Sequence, residues 1–183
     1  MRRAWHVNRT SEPNRPKPRR TASVGNSTDA AELAALAAET FPLACPPSVA
    51  PENIASFIDA SLSDARFAEY LTDPQRIIFA AKQSGRIVGY AMLIRDVDDA
   101  RVELSKMYVL PGQHGSGVAT ALMDAALAGA AASGAESVWL GVNQKNERAQ
   151  RFYTKCGFAV AGTRTFQLGP HTEHDYVMVR AMQ

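Results

Sequence analysis

The sequence predicts a mixed α/β domain whose largely antiparallel sheet is flanked by helices. Three observations lead there. Helical periodicity fills the segment from residue 29 to about residue 72. The apolar period then shortens to that of strands over three successive segments between residues 76 and 110. From there to the end, strands alternate with two helical patterns before a closing strand pair.

The elements follow in order. A weak first strand is expected near residues 20–24. Asp29 to Thr40 has helical period, with Leu33, Leu36 and Ala37 as its apolar stripe and Thr28 or Asp29 as the cap. Phe41–Pro51 carries four prolines and is expected to be a loop that stops this helix. A second helix should start at Pro51–Glu52 and bury Ile54, Phe57 and Ile58. Asp64 is expected to cap a third, ended by Asp73-Pro74. Arg76–Ala81 and Arg86–Arg95 read as strands, with Ser84-Gly85 as a hairpin turn between them. Arg101–Leu110 is a further strand, stopped by Pro111-Gly112. Alanine-rich Gly117–Ser133 is helical, and Glu136–Val142 is a strand. Asn146–Cys156 is an amphipathic helix with Ala149, Phe152, Tyr153 and Cys156 on one face. Phe158–Leu168 and Glu173–Met182 close the chain around a Gly169-Pro170 turn.

The chain has 183 residues, 46% of them hydrophobic and 21% charged, which suits one globular domain. No apolar run approaches the ~20 residues that span a bilayer, so no membrane partner is expected. The two cysteines, Cys45 and Cys156, form neither a disulfide framework nor a CxxC pair. No metal site is expected, and the composition suits a reducing, cytoplasmic setting.

The net charge of +2 is unevenly spread. Seven of the basic residues and a single acid, Glu12, lie in residues 1–20, giving this segment +6 and the remainder −4. With three prolines and little apolar patterning, residues 1–20 are expected to be a disordered basic tail. The tail lacks the apolar core of a secretory signal. The mild acidity of residues 21–183 favours a cationic substrate and disfavours nucleic acid.

Two motifs carry chemistry. The first follows the strand at 101–110: His114-Gly115-Ser116-Gly117-Val118-Ala119, then a helix. Glycines let main-chain N–H groups approach a ligand, and the helix start adds unpaired donors and partial positive charge. Such a turn can cradle a pyrophosphate, although helix–sheet packing alone also selects for it. No Gly-Lys-Ser/Thr follows, so it is not a Walker A loop, and the full GxGxxG fingerprint is absent. The second motif is NERAQRFYTKCGF, residues 146–158, in which Asn146 caps a helix and shares a face with Tyr153. That pair reads equally as an N-cap and a core aromatic.

Taken together, strand–HxxGxA–helix, then strand, then NxxAxxFYxxxGF resembles the GNAT N-acetyltransferase family. The resemblance spans about residues 29–183 and is sharpest over 101–160. It implies a sheet whose fourth and fifth strands splay apart, here Arg101–Leu110 and Glu136–Val142. Acetyl-CoA is the implied co-substrate. Its pyrophosphate would meet the backbone of His114, Gly115, Ser116, Gly117, Val118 and Ala119, with Thr120 just inside the helix. His114 stands where the family usually has Gln or Arg. The pantetheine would pair with the main chain of Met107 and Val109, and Asn146 would contact the same co-substrate.

By the same resemblance Tyr153 is the general acid that protonates the leaving CoA thiolate. A base must deprotonate the amine, since alkylamines are charged near neutral pH. Glu103 is the candidate, expected to share one strand face with Ser105 and Met107. It reads equally as a solvated or ion-paired strand residue. The implied reaction is acetyl transfer from acetyl-CoA to a primary amine by direct attack in a ternary complex.

The closing segment 158–182 and WLGVNQKN are similar to the PaiA-like spermidine/spermine acetyltransferases, so a polyamine is the favoured small-molecule acceptor. A protein or peptide amine, an aminoglycoside, or a non-catalytic acyl-CoA sensor are the alternatives, and a homodimer is compatible with them all. Glu39, Glu52, Asp59 and Asp96–Asp99 are candidate attractors for a cation. Cys45 is a candidate lining residue of the acceptor cleft, and His171 with His174 is a weak candidate metal pair beside the last turn.

Overall fold

A computed structural model describes residues 22–26, 28–95, 100–113 and 115–182 of the chain. The expected tail at 1–20, the Asp96–Asp99 cluster and His114 lie outside the described residues. Seven strands form one sheet: β1 (Ser23–Asn26), β2 (Arg76–Gln83), β3 (Arg86–Arg95), β4 (Arg101–Val109), β5 (Ser137–Asn143), β6 (Ala159–Leu168) and β7 (His171–Ala181). Their order is β1-β2-β3-β4-β5-β7-β6. Every neighbouring pair is antiparallel except β4 and β5, which run parallel.

The helices are α1 (Ala30–Ala44), α2 (Pro51–Ser61), α3 (Asp64–Thr72), α4 (Val118–Ala132) and α5 (Glu147–Lys155). They divide between the two faces because each has an apolar stripe to bury. One core joins α4 and α5 to the sheet around Leu93, Val102, Leu104, Leu122, Met123, Val138, Leu140 and Phe158. The other packs α1, α2 and α3 on the opposite face around Leu33, Leu36, Phe41, Phe67, Tyr90 and Met92. The β2–β3 hairpin turns on Ser84 and Gly85, both with positive φ (54° and 81°). That matches the right-handed strand twist of a two-residue turn.

Four expectations are corrected. The loop expected at Phe41 begins later, because α1 runs through Pro42 to Ala44. Pro42 lies close enough to the helix end that few intrahelical bonds are at stake. Phe41 is buried and stacks on Phe57 of α2 at 4.6 Å, which holds this last turn in place. Ser63, not Asp64, is the N-cap position of α3. The last strand starts at His171, so His171 and His174 both lie on β7. Three residues apart on a strand they point to opposite faces and cannot share a metal ion.

The fourth correction concerns β4. Met92 pairs with Lys106, but Leu93 pairs with Leu104, so Ser105 is an extra residue, a β-bulge. The bulge reverses the alternation. Val102 and Leu104 face the α4 core, and beyond the bulge so do Met107 and Val109. Glu103 therefore shares its face with Lys106 and Tyr108, not with Ser105 and Met107.

Leu122 of α4 is fully buried against the sheet, whereas Leu43 is 68% exposed. Leu122→Ala is expected to cost about 2–5 kcal/mol of unfolding free energy. Leu43→Ala should stay within about 0.5 kcal/mol. Urea unfolding of both variants checks the contrast.

Candidate active site at the strand fork

The parallel pairing of β4 and β5 lasts three residues. It joins Arg101 to Ser137, Val102 to Val138 and Glu103 to Trp139, and then stops. Beyond Glu103 the two strands diverge, and β4 keeps only β3 as a partner. The N–H of Leu110 donates to the carbonyl of Val88 at 2.9 Å. Counting back along the register, Tyr108 opposite Tyr90 takes the hydrogen-bonded position. Met107 opposite Ala91 and Val109 opposite Gly89 thus turn their main-chain groups away from β3, into the gap. These are the two residues the sequence singled out for main-chain contacts.

A cleft of about 540 Å³ runs along this edge to the start of α4. Met107, Val109, Gly115, Gly117, Ala119, Thr120, Asn146 and Tyr153 all line it. Gly117 is the N-cap of α4 at φ 88°, a left-handed geometry costly for any side chain, and no side chain caps the helix. The first intrahelical bond is donated by Ala121 to Gly117. The N–H groups of Ala119 and Thr120 precede it in the first turn, which holds no acidic residue. That donor set fits a phosphate group. Two expected members differ in detail. Val118 buries its side chain in the core, and its N–H donates to the Ser116 Oγ at 3.5 Å. Ser116 turns its hydroxyl back to the Gln113 carbonyl.

Asn146 caps α5, its Oδ1 accepting from the N–H of Ala149 at 3.1 Å. The side-chain amide of Gln150 donates to the carbonyls of Asn143 and Gln144 and pins this junction to the end of β5. Two turns from Asn146 along the same face of α5, Tyr153 packs against Phe152 and Phe158. Burial, and to a smaller degree neighbouring Cys156, pushes its hydroxyl up to about 12, so it stays protonated and able to donate.

Tyr153 and Asn146 also line a second cleft, of about 410 Å³, on the other side of the fork. One wall is apolar: Phe41, Phe57, Leu62, Phe166 and Leu168. The same cleft carries Glu103, Glu173 and Asp175, with Glu173 the cross-strand neighbour of Phe166. Glu173 and Asp175 are each only 7% exposed. The Glu173 carboxylate accepts from the Asn143 amide at 3.1 Å. Burial raises the Asp175 carboxyl, and the nearby Arg164 guanidinium works against that rise. Arg164 reaches Asp175 at 3.4 Å and Glu103 at 3.6 Å, and lies over the Trp139 ring at 5.4 Å. It fits there because residue 141 is glycine: a Cβ at that position would run into its guanidinium.

Glu103 is thus both a cleft residue and an ion-pair partner. The burial behind the Tyr108 hydroxyl, which is raised further by Tyr153, Cys45 and Asp175, marks how closely these groups converge. Cys45 lines this second cleft, as expected, and burial lifts its thiol to about 11, so it is not a thiolate nucleophile. Glu39, Glu52 and Asp59 are exposed and line neither cleft. Glu173, Asp175, Arg164, Tyr108 and Lys106 belong to no local sequence motif, yet all five line this cleft. Alternation on β7 puts Glu173 and Asp175 on one face, a signal that was present in the sequence but indistinguishable from a solvated strand.

The comparisons with known proteins agree with this geometry. Residues 33–158 match the acetyltransferase (GNAT) family. An uncharacterized N-acetyltransferase of Mycobacterium tuberculosis is 71% identical over 155 residues, 85% of this chain and 99% of that protein. The crystal structure of the PaiA N-acetyltransferase from Thermoplasma acidophilum, in complex with coenzyme A, superposes with a TM-score of 0.77 at 20% identity, covering 88% of this chain and 99% of that one. A GCN5-related N-acetyltransferase from Rhodopseudomonas palustris gives 0.71 at 22% identity, with coverages of 88% and 96%. At these identities the structural likenesses speak to the fold; the sequence matches establish that this chain belongs to the GNAT acetyltransferase family.

Proposed function

We propose that this acetyl-CoA-dependent N-acetyltransferase acts on the primary amine of a polyamine of the spermidine or spermine class. The observation that carries this is the second cleft. It combines buried carboxylates with aromatic and aliphatic side chains in one lining that also includes Tyr153. A polyamine is a chain of cations separated by methylenes, and such a cleft answers both features: charge from Glu173 and Asp175, contact and cation–π attraction from Phe41, Phe57 and Phe166. The PaiA-like character of the closing segment supports the same choice.

In this reading the backbone of Gly115–Ala119 and the first turn of α4 hold the co-substrate's phosphates. The outward main-chain groups of Met107 and Val109 and the Asn146 side chain align its acyl-bearing arm along β4. Glu103 accepts the proton that the amine must lose, directly or through a water molecule. The neutral amine attacks the thioester carbon, an N–H of the β4 edge stabilises the developing oxyanion, and the C–S bond breaks. Tyr153 donates its phenolic proton to the departing thiolate. No step needs Cys45 or Cys156.

A thiol-release assay over spermidine, spermine, putrescine, a lysine peptide and an aminoglycoside tests the acceptor. Release is expected with spermidine or spermine; release only with another amine keeps the acetyltransferase and discards the polyamine. Tyr153→Phe is expected to lower kcat by about a hundredfold. Its acetyl-CoA affinity, read by calorimetry, should stay unchanged. Asp175→Asn is expected to raise KM for spermidine about tenfold, the effect of losing roughly 1.4 kcal/mol of attraction. Its kcat should change little.

A further inference from the structure

Lys106 has no part in the reaction above, yet it lines the acceptor cleft together with Tyr153 and Glu103. It directly precedes Met107, whose main chain faces the gap. The bulge at Ser105 turns its side chain to the face that Glu103 shares. Its ammonium group rests 5.5 Å from the centre of the Tyr70 ring, and Arg76 covers the same ring at 4.6 Å. Among the described residues no carboxylate lies within ion-pairing distance, 4.0 Å, of its Nζ. The other described lysines, Lys82, Lys145 and Lys155, line neither cleft.

We propose that Lys106 is a self-acetylation site, its ε-amine taking the acetyl group from acetyl-CoA when no acceptor fills the cleft. The inference rests on the acetyl-transfer reading of the two clefts. The groups that face Lys106 are the Tyr70 ring from α3, Arg76 from β2 and Glu103 from β4. Burial first, then the Arg76 charge, lower its amine to about 8, with Glu103 opposing them. At pH 8 roughly half of it is the neutral nucleophile, against well under one part in a hundred for an ordinary lysine. The step balances. The Nζ lone pair forms the C–N bond, the thioester C–S bond breaks, and the amine loses one proton while the thiolate gains one. The products are acetyl-Lys106 and CoA thiol. The amide so formed adds bulk to the cleft and removes a positive charge from it, two changes that act in opposite directions on a cationic acceptor.

The full chain is incubated with acetyl-CoA and no amine, and acetylated lysines are then mapped by peptide mass spectrometry. A urea-unfolded sample runs in parallel to report purely chemical acetylation. Acetyl is expected on Lys106 well ahead of Lys82, Lys145 and Lys155 in the folded chain and not in the unfolded one. The rate should rise with pH through about 8. Tyr153→Phe should slow it by about a hundredfold. Lys106→Arg should lose the modification. Folded chain that carries no acetyl on Lys106, or carries it no faster than its exposed lysines, overturns the proposal. The amine panel separates the failures: thiol release with an amine but unmodified Lys106 removes this inference alone, whereas no release with any amine removes the acceptor reading as well.

Discussion

The obligation of main-chain polar groups to find partners organises this molecule. All seven strands join one hydrogen-bonded sheet, and for three residues β4 and β5 are paired within it. The ladder then opens, and Met107 and Val109 present their N–H and C=O groups to a gap rather than to a neighbour. Both clefts and the Tyr153 and Asn146 side chains that connect them are arranged about that opening. The N-terminus of α4 is a second set of unanswered donors at the far end of the same groove. A ligand that is itself amide-rich and phosphorylated is the complement of such a surface.

The acceptor side has a different character. Its polar lining holds Arg164 between Glu103 and Asp175, with Glu173 and Lys106 in the same cleft. A buried carboxylate is costly without a counter-charge, and Arg164 supplies one across the fork. The position of its guanidinium depends on the missing side chain at Gly141. The fold thus keeps two carboxylates ionisable inside a partly desolvated cleft. An incoming ammonium group can be met there by groups already held in place, so little ordering remains to be done on binding.

Much of the fold was legible in the sequence because its signals are local. The hairpin at Ser84-Gly85, Pro51 at the start of α2, Asn146 as a cap and the strand–turn–helix of 101–133 each depend on a few adjacent residues. The donor groove was legible for the same reason, since backbone and glycine form it. The acceptor cleft was not. Its wall brings α1, α2, β4, β6 and β7 together, so Glu173 and Asp175 reach Glu103 only through tertiary pairing that no short pattern encodes. The face of Glu103 was misjudged because a bulge leaves no mark in an alternating strand pattern. The helix running through Pro42 was missed because tertiary stacking of Phe41 on Phe57 outweighed the local preference of proline.

The extra residue at Ser105 has a consequence for how substitutions along β4 are tolerated. It is a phase shift: even-numbered positions before it and odd-numbered positions after it are core. A charged residue placed at 104 would strike the hydrophobic interior, whereas one at 106, an even-numbered site of the same strand, sits at the mouth of a cleft, as Lys106 does. Pairing β4 without the bulge, all nine residues in strict alternation, would exchange Lys106 and Tyr108 with Met107 and Val109, and the chemistry-facing edge would become core. Deleting Ser105 would instead leave a regular strand with Leu104, Met107 and Val109 still on the core face. The register that one unpaired residue sets, more than the identity of any side chain on the strand, is the constraint on this site.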